Sequence, residues 1–141
     1  MIRRRAFAWG AVCLAAGWSV VLAQQRTAWD GIYTAAEAER GAAVYGRSCV
    51  ACHGEDLGGD GTAPALAGES FAFQWTDTTV KDLFVRIKTL MPPDRPDSLP
   101  AETYRDLVAF ILRSNKMPAG QQALASEPDT LQQIRITAAP H

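Results

Sequence analysis

Apolar and polar residues along this chain recur mostly at helical rather than strand spacing. Thr34-Ala-Ala-Glu37 forms a capping box and predicts an alanine-rich helix from about Ala35 to the region of Ser48, with Ala38, Gly41, Ala42 and Tyr45 on one side. Gly41 and Gly46 fall inside it, and each is either a weak point or a place where another backbone comes close. A second helix, capped by Asp77 or Thr78, places Val80, Leu83, Phe84 and Ile87 in one buried stripe and ends at Met91-Pro92-Pro93. Prolines 92, 93 and 96 require an extended loop over 91–98. A third helix begins near Pro100 as a first-turn residue, buries Tyr104, Leu107, Val108, Ile111 and Leu112, and stops at Asn115.

Between these stripes the pattern weakens. Residues 54–61 carry four glycines in eight positions and read as loop, whereas 62–76 show no clean period. Residues 24–33 form an irregular lead-in, and 116–141 a trailing strap anchored by Leu124, Leu131, Ile134 and Ile136. No repeat and no convincing strand is visible. The expectation is an all-α fold of three main helices with long loops, its central domain spanning 34–115.

The first residues alter the account of where the chain works. Arg3, Arg4 and Arg5 precede an uncharged stretch from Ala6 to Ala23, and the small residues before Gln24 suit cleavage. Residues 1–23 are therefore expected to be a signal peptide, with an uncleaved membrane anchor as the alternative. Cys13 would leave with the leader. Without those arginines the 14 basic residues of the whole chain fall to 11 against 15 acidic ones, a charge of −4. Basic residues are scattered, which argues against nucleic acid as a partner.

Three helices and much loop make a thin core, so a staple is expected. The one concentrated motif is Cys49-Val-Ala-Cys52-His53. A disulfide between the cysteines would close only a tiny loop. A thioredoxin-like dithiol needs a preceding strand, and structural zinc needs a fourth ligand, for which the terminal His141 is a poor candidate. Covalent attachment of a c-type haem needs this spacing: both sulfurs on one face of a helical turn, and His53 directly after them for the iron.

An iron that transfers electrons calls for a second protein ligand, and a thioether opposite histidine favours the ferrous state. Met91 and Met117, each followed by proline, are the candidates beyond the leader. Met91, in the proline-stiffened loop, is the preferred ligand and Met117 the alternative; gap-filling in the core is the bland reading of both.

These segments resemble the class I cytochromes c, and most specifically the small monohaem periplasmic cytochromes associated with quinoprotein dehydrogenases. The resemblance covers about Trp29 to Ile136 and is carried by WDGIYT, RGAAVYGRSCVACHG, APALAGESF, MPPDRPDSL, YRDLVAFIL and NKMPAG. It implies thioethers at Cys49 and Cys52, with His53 and Met91 as iron ligands. It further implies that the Pro64 carbonyl orients His53, that Leu66 packs on one covalent haem c, and that Gly41 and Tyr45 meet the Tyr104–Ile111 face. Trp75 is either a propionate donor or core. Ala63 stands where the family usually has glycine, and Pro100 where a serine cap is common.

The function so implied is a one-electron carrier, not an enzyme. It would shuttle in the periplasm between a dehydrogenase or respiratory complex and a terminal acceptor. Expected partners are redox proteins, either a PQQ-dependent dehydrogenase or an oxidase, met by a monomer in transient complexes. A membrane is involved only if the leader is retained. Rival readings are a haem enzyme or gas sensor with an open sixth position, and an exported thiol protein without haem.

Overall fold

A computed structural model describes residues 25–140. The proposed leader with Cys13, and His141, lie outside the described residues. The three expected helices are the longest: α1 (Ala35–Ser48), α4 (Val80–Leu90) and α5 (Ala101–Ser114). Three shorter ones accompany them, α2 (Val50–His53), α3 (Gly68–Trp75) and α6 (Pro128–Gln132). The fold is all-α, with one small pair of strands.

Helix α1 starts as its capping box requires, with Thr34 Oγ1 accepting from the Glu37 amide and the Glu37 carboxylate accepting from the Thr34 amide. Its main packing partner is α5. A Cβ on Gly41 would lie 1.9 Å from the Asp106 carbonyl oxygen, so the two backbones meet where only hydrogen fits. Beside this crossing Tyr45 packs on Phe110 at 5.1 Å, and Arg40 grips the largely buried Asp106 with two hydrogen bonds of 2.8 and 2.7 Å. Gly46 has nothing within 4 Å of its would-be Cβ; close approach explains Gly41 alone.

Several boundaries differ from expectation for local reasons. The N-cap of α4 is Thr79, not Asp77 or Thr78, because Thr79 and Asp82 form a second capping box. Asp77 instead takes φ +67° and donates its amide to the Ile136 carbonyl at 2.9 Å. Pro100 is the N-cap of α5, one position before the first turn, and makes no side-chain cap. Residues 68–75, which lack a period, are nevertheless helical. Helix α3 buries Phe71 and Trp75 but leaves Phe73 94% exposed, so its apolar residues do not share a face.

The strand expectation is also corrected. Strand β1 (Arg26–Thr27) pairs in parallel with β2 (Ile134–Arg135), joining lead-in to strap. Trp29 Nε1 adds a 3.0 Å bond to the Thr137 carbonyl across 108 residues of sequence. Leu124, Leu131, Ile134 and Ile136 are all buried, as their role as anchors requires. The strap is held a second time where Glu37 also accepts the Leu124 amide at 3.0 Å. Burying that carboxylate is tolerable because every contact supplies a donor.

Candidate functional site

A cavity of about 340 Å³ opens between the CVACH turn, the glycine-rich loop, α3, α4 and α5. Cys49, Cys52, His53, Pro64, Leu66, Trp75 and Met91 all line it. Met117 does not; it is buried elsewhere, its carbonyl accepting from Tyr33 Oη at 2.6 Å. The alternative ligand thus sits apart from the other candidates.

The CVACH turn follows α1 almost without a break. The Cys49 amide donates to Tyr45 O, and the Cys52 and His53 amides donate to Cys49 O at 3.2 and 3.0 Å. One helical turn therefore puts both cysteines at the rim of the cavity, Cys52 exposed and Cys49 half-buried. The two are not joined to each other in a disulfide. Burial pushes the Cys49 thiol up to about 11, with the Cys52 charge adding to the effect. Burial also raises the neighbouring Tyr45 phenol to about 12, while its hydroxyl donates to Gly54 O at 2.6 Å and closes the turn against α1.

His53 is only 6% exposed. Its Nδ1 lies 2.9 Å from the Pro64 carbonyl oxygen, which can only accept, so Nδ1 carries the proton. The Nε2 lone pair is then left for a metal, with the ring plane fixed by the carbonyl. Pro64 is delivered by the loop before it. Gly59, at φ +73°, leaves room for Ala63 O, which a Cβ would approach to 2.2 Å. Asp60 Oδ1 accepts the Ala63 and Thr62 amides at 2.7 and 2.9 Å, which lowers its pKa and fixes the turn leading to Pro64. Ala63 is therefore accommodated with the carbonyl in place.

Met91 is the C-cap of α4, and a cis peptide bond joins it to Pro92. The rest of the wall is mostly aliphatic, including Leu83, Ile87, Leu99, Leu107 and Ile111. Trp75 is nearly buried, with its ring 6.2 Å from Phe71. Arg86 and Gln74 join it in the lining, and Arg86 is the only lysine or arginine among the described lining residues.

Sequence reasoning missed Arg86, which looks like an ordinary polar position outside the α4 stripe. It also missed Gly59, whose signal was the density of glycines, and the polar role of Tyr104, whose helical spacing marked it only as core.

A macrocycle with an apolar body, two carboxylates and an iron fits this donor set: thiols at the rim, an oriented imidazole and a thioether, aliphatic walls and one cation. Among the described residues, no three His, Cys, Asp or Glu side chains gather to hold a bare metal ion. Nor is any described helix long and apolar enough to cross a membrane.

Residues 36–111, more than half of the chain, match the family described as cytochrome c oxidase, cbb3-type, subunit III. No curated protein and no solved structure matches. The family match takes in the CVACH turn, the Pro64 loop, Met91 and most of α5, and nothing in it singles out the quinoprotein-associated subtype. The chain therefore belongs to the cbb3-type subunit III family of c-type cytochrome domains, electron-transfer proteins whose cofactor is covalently bound haem c.

Proposed function

We propose that this chain is a monohaem electron carrier of the class I type, with thioethers at Cys49 and Cys52 and iron ligated by His53 Nε2 and Met91 Sδ. The observation that carries it is the His53–Pro64 hydrogen bond inside a cavity that also takes both cysteines and Met91. The bound group supplies a one-electron ferric–ferrous couple. The chain's own part is to hold an imidazole and a thioether whose positions do not depend on solvent. The aliphatic wall lowers the local dielectric, and Leu66 packs against the macrocycle. Arg86 and Trp75, both in the cavity lining, supply a counter-charge and an N–H donor for the propionates.

The setting we propose is the periplasm, reached by the 1–23 leader and with anchoring if that leader is kept; residues 34–115 form the haem domain and 116–141 its strap. As a monomer the carrier would meet redox proteins, either a quinoprotein dehydrogenase or a terminal oxidase, by brief docking. A charge of −4 without a basic cluster favours a weakly charged contact. Transfer rates should then change little with salt, and a steep fall would contradict that docking mode.

The ferric absorption spectrum of the purified holoprotein tests the ligand set. A weak far-red thioether band that Met91→Ala abolishes supports it. A high-spin spectrum would favour a haem enzyme or sensor with an open position, and survival of the band in Met91→Ala would move the ligand to Met117. Haem staining of a denaturing gel should be positive in wild type and lost in Cys49→Ala/Cys52→Ala. A colourless wild-type band would favour the thiol protein.

A further inference from the structure

Tyr104 is wholly buried and its ring lines the cavity, yet its hydroxyl turns to the loop between α4 and α5. It donates to the Met91 carbonyl oxygen at 3.0 Å and accepts from the Leu99 amide at 3.3 Å. One oxygen thus holds both ends of the 91–99 segment. The other ties of that segment are local or run back to α4: Arg95 N to Pro92 O at 2.9 Å, and Asp97 N to Lys88 O at 3.0 Å. Pro92, Pro93 and Pro96 have no amide to offer. The phenol is the hydrogen-bonded link from this loop to α5, the helix that α1 clamps at Gly41.

We infer that Tyr104 is a positioning residue for the Met91 thioether: it fixes the backbone that carries the sulfur and so resists displacement of the sulfur from iron. The inference rests on the Met91 assignment above. Removing the hydroxyl leaves the Met91 carbonyl and the Leu99 amide without a partner only while the loop is seated. The seated arrangement is therefore penalised relative to one with the loop lifted. The loss of such a buried partner shifts an equilibrium by about tenfold to a hundredfold. Hydroxide or a lysine amine can take the vacated position only with release of one proton from water or ammonium. Each tenfold shift then lowers the midpoint pH of thioether loss by about one unit.

The test follows the far-red band of the ferric full-length holoprotein against pH in wild type, Met91→Ala, Tyr104→Phe and Val108→Ala. Val108 is buried on the same helix and does not line the cavity. Tyr104→Phe is expected to keep the band near neutrality and lose it about one to two pH units below wild type. Val108→Ala should lower the denaturation midpoint while leaving that pH unmoved. Absence of the band in wild type, or its survival in Met91→Ala, overturns the ligand assignment itself. A band present in wild type and lost in Met91→Ala, with equal midpoint pH in Tyr104→Phe and wild type, overturns the positioning role alone. So would failure of Tyr104→Phe to give folded holoprotein where Val108→Ala does, since Tyr104 would then act on the whole fold.

Discussion

The imidazole Nδ1 of His53 sits 2.9 Å from the carbonyl oxygen of Pro64, eleven residues along the chain. What holds the two together is the loop between them, and Gly59 is its tightest point. In Gly59→Ala the new methyl would meet Ala63 O at 2.2 Å and the Pro64 carbonyl carbon at 3.0 Å, and the positive φ adds strain. The hydrogen bond should lengthen, the imidazole become a weaker donor to iron, and the ferric state lose stabilisation. The reduction potential is expected to rise by roughly 30–60 mV, given about 59 mV per tenfold change for one electron. Gly61→Ala is the control in a redox titration. It also has positive φ but open space around the methyl, so its potential should stay at the wild-type value.

The two glycines of α1 should respond in opposite directions. Gly41→Ala drives a methyl into the Asp106 carbonyl at 1.9 Å and Phe110 Cβ at 2.9 Å, forcing α1 and α5 apart. A loss of about 2–4 kcal/mol is expected. Gly46→Ala meets nothing and should gain about 0.5–1 kcal/mol from helix propensity. Denaturant midpoints of the two holoproteins decide the matter, and matched signs would contradict the crossing geometry.

The cap of α4 carries a pH dependence. Hydrogen bonds from the Thr79 side chain and then its backbone lower the Asp82 pKa below its ordinary value. A depressed carboxylate contributes stability above the ordinary range and loses it as pH falls through the folded value. Asp82→Asn should therefore cost about 0.5–1 kcal/mol at pH 7, the size of a cap and small because the site is exposed to solvent. The difference should vanish in acid below the depressed folded value, where wild type is protonated too. Urea titrations under both conditions measure it, and a gap that persists in acid would exclude the charge as its source.

Glu37 joins the start of α1 to the strap, accepting from Thr34 N at 2.8 Å, Thr34 Oγ1 at 2.9 Å and Leu124 N at 3.0 Å. Glu37→Ala strands these donors and should cost about 2–3 kcal/mol. The loss should fall first on the strap, so limited proteolysis should cut within 116–133 well before the helical core. Cleavage starting in the core instead would show that Glu37 does not hold the strap.

The sequence was most readable where one short stretch decides its own structure. Thr34–Glu37, the Val80/Leu83/Ile87 stripe, the stop at Asn115 and the spacing of Cys49, Cys52 and His53 each encode their outcome within a turn or two. Asn115 ends α5 with a local bond, its side-chain amide donating to Ile111 O at 2.8 Å. It also donates to Leu66 O at 2.9 Å and accepts the Gly68 amide at 3.0 Å, distant ties that the stop signal did not reveal. Helix α3 escaped because its helicity is not backed by one apolar face: Phe73 points to solvent while Phe71 and Trp75 turn inward. Strand β1 escaped because two residues hold no period and their partner lies at the far end of the chain. The seven expected site residues do meet at one cavity, since a covalent motif and two proline-marked loops leave strong signatures. Tyr104 and Arg86 left none, because a hydroxyl in a core stripe and a cation on a helix surface look ordinary until the loop and the cavity are seen.

The pairing of Arg26–Thr27 with Ile134–Arg135 also bears on the order of assembly. Every residue that lines the cavity is encoded between Tyr45 and Ile111, so that part can close over comparatively short connections. The ribbon must join ends separated by 108 residues, the entropically more costly closure. As the chain emerges from its amino end, the lead-in has no strand to pair with until almost everything else has been made. On that ground the ribbon is expected to be the last knot tied. A chain cut short before Ile134 would hold every cavity-lining residue and the Tyr33–Gly120 tie, and still lack the ribbon between lead-in and strap.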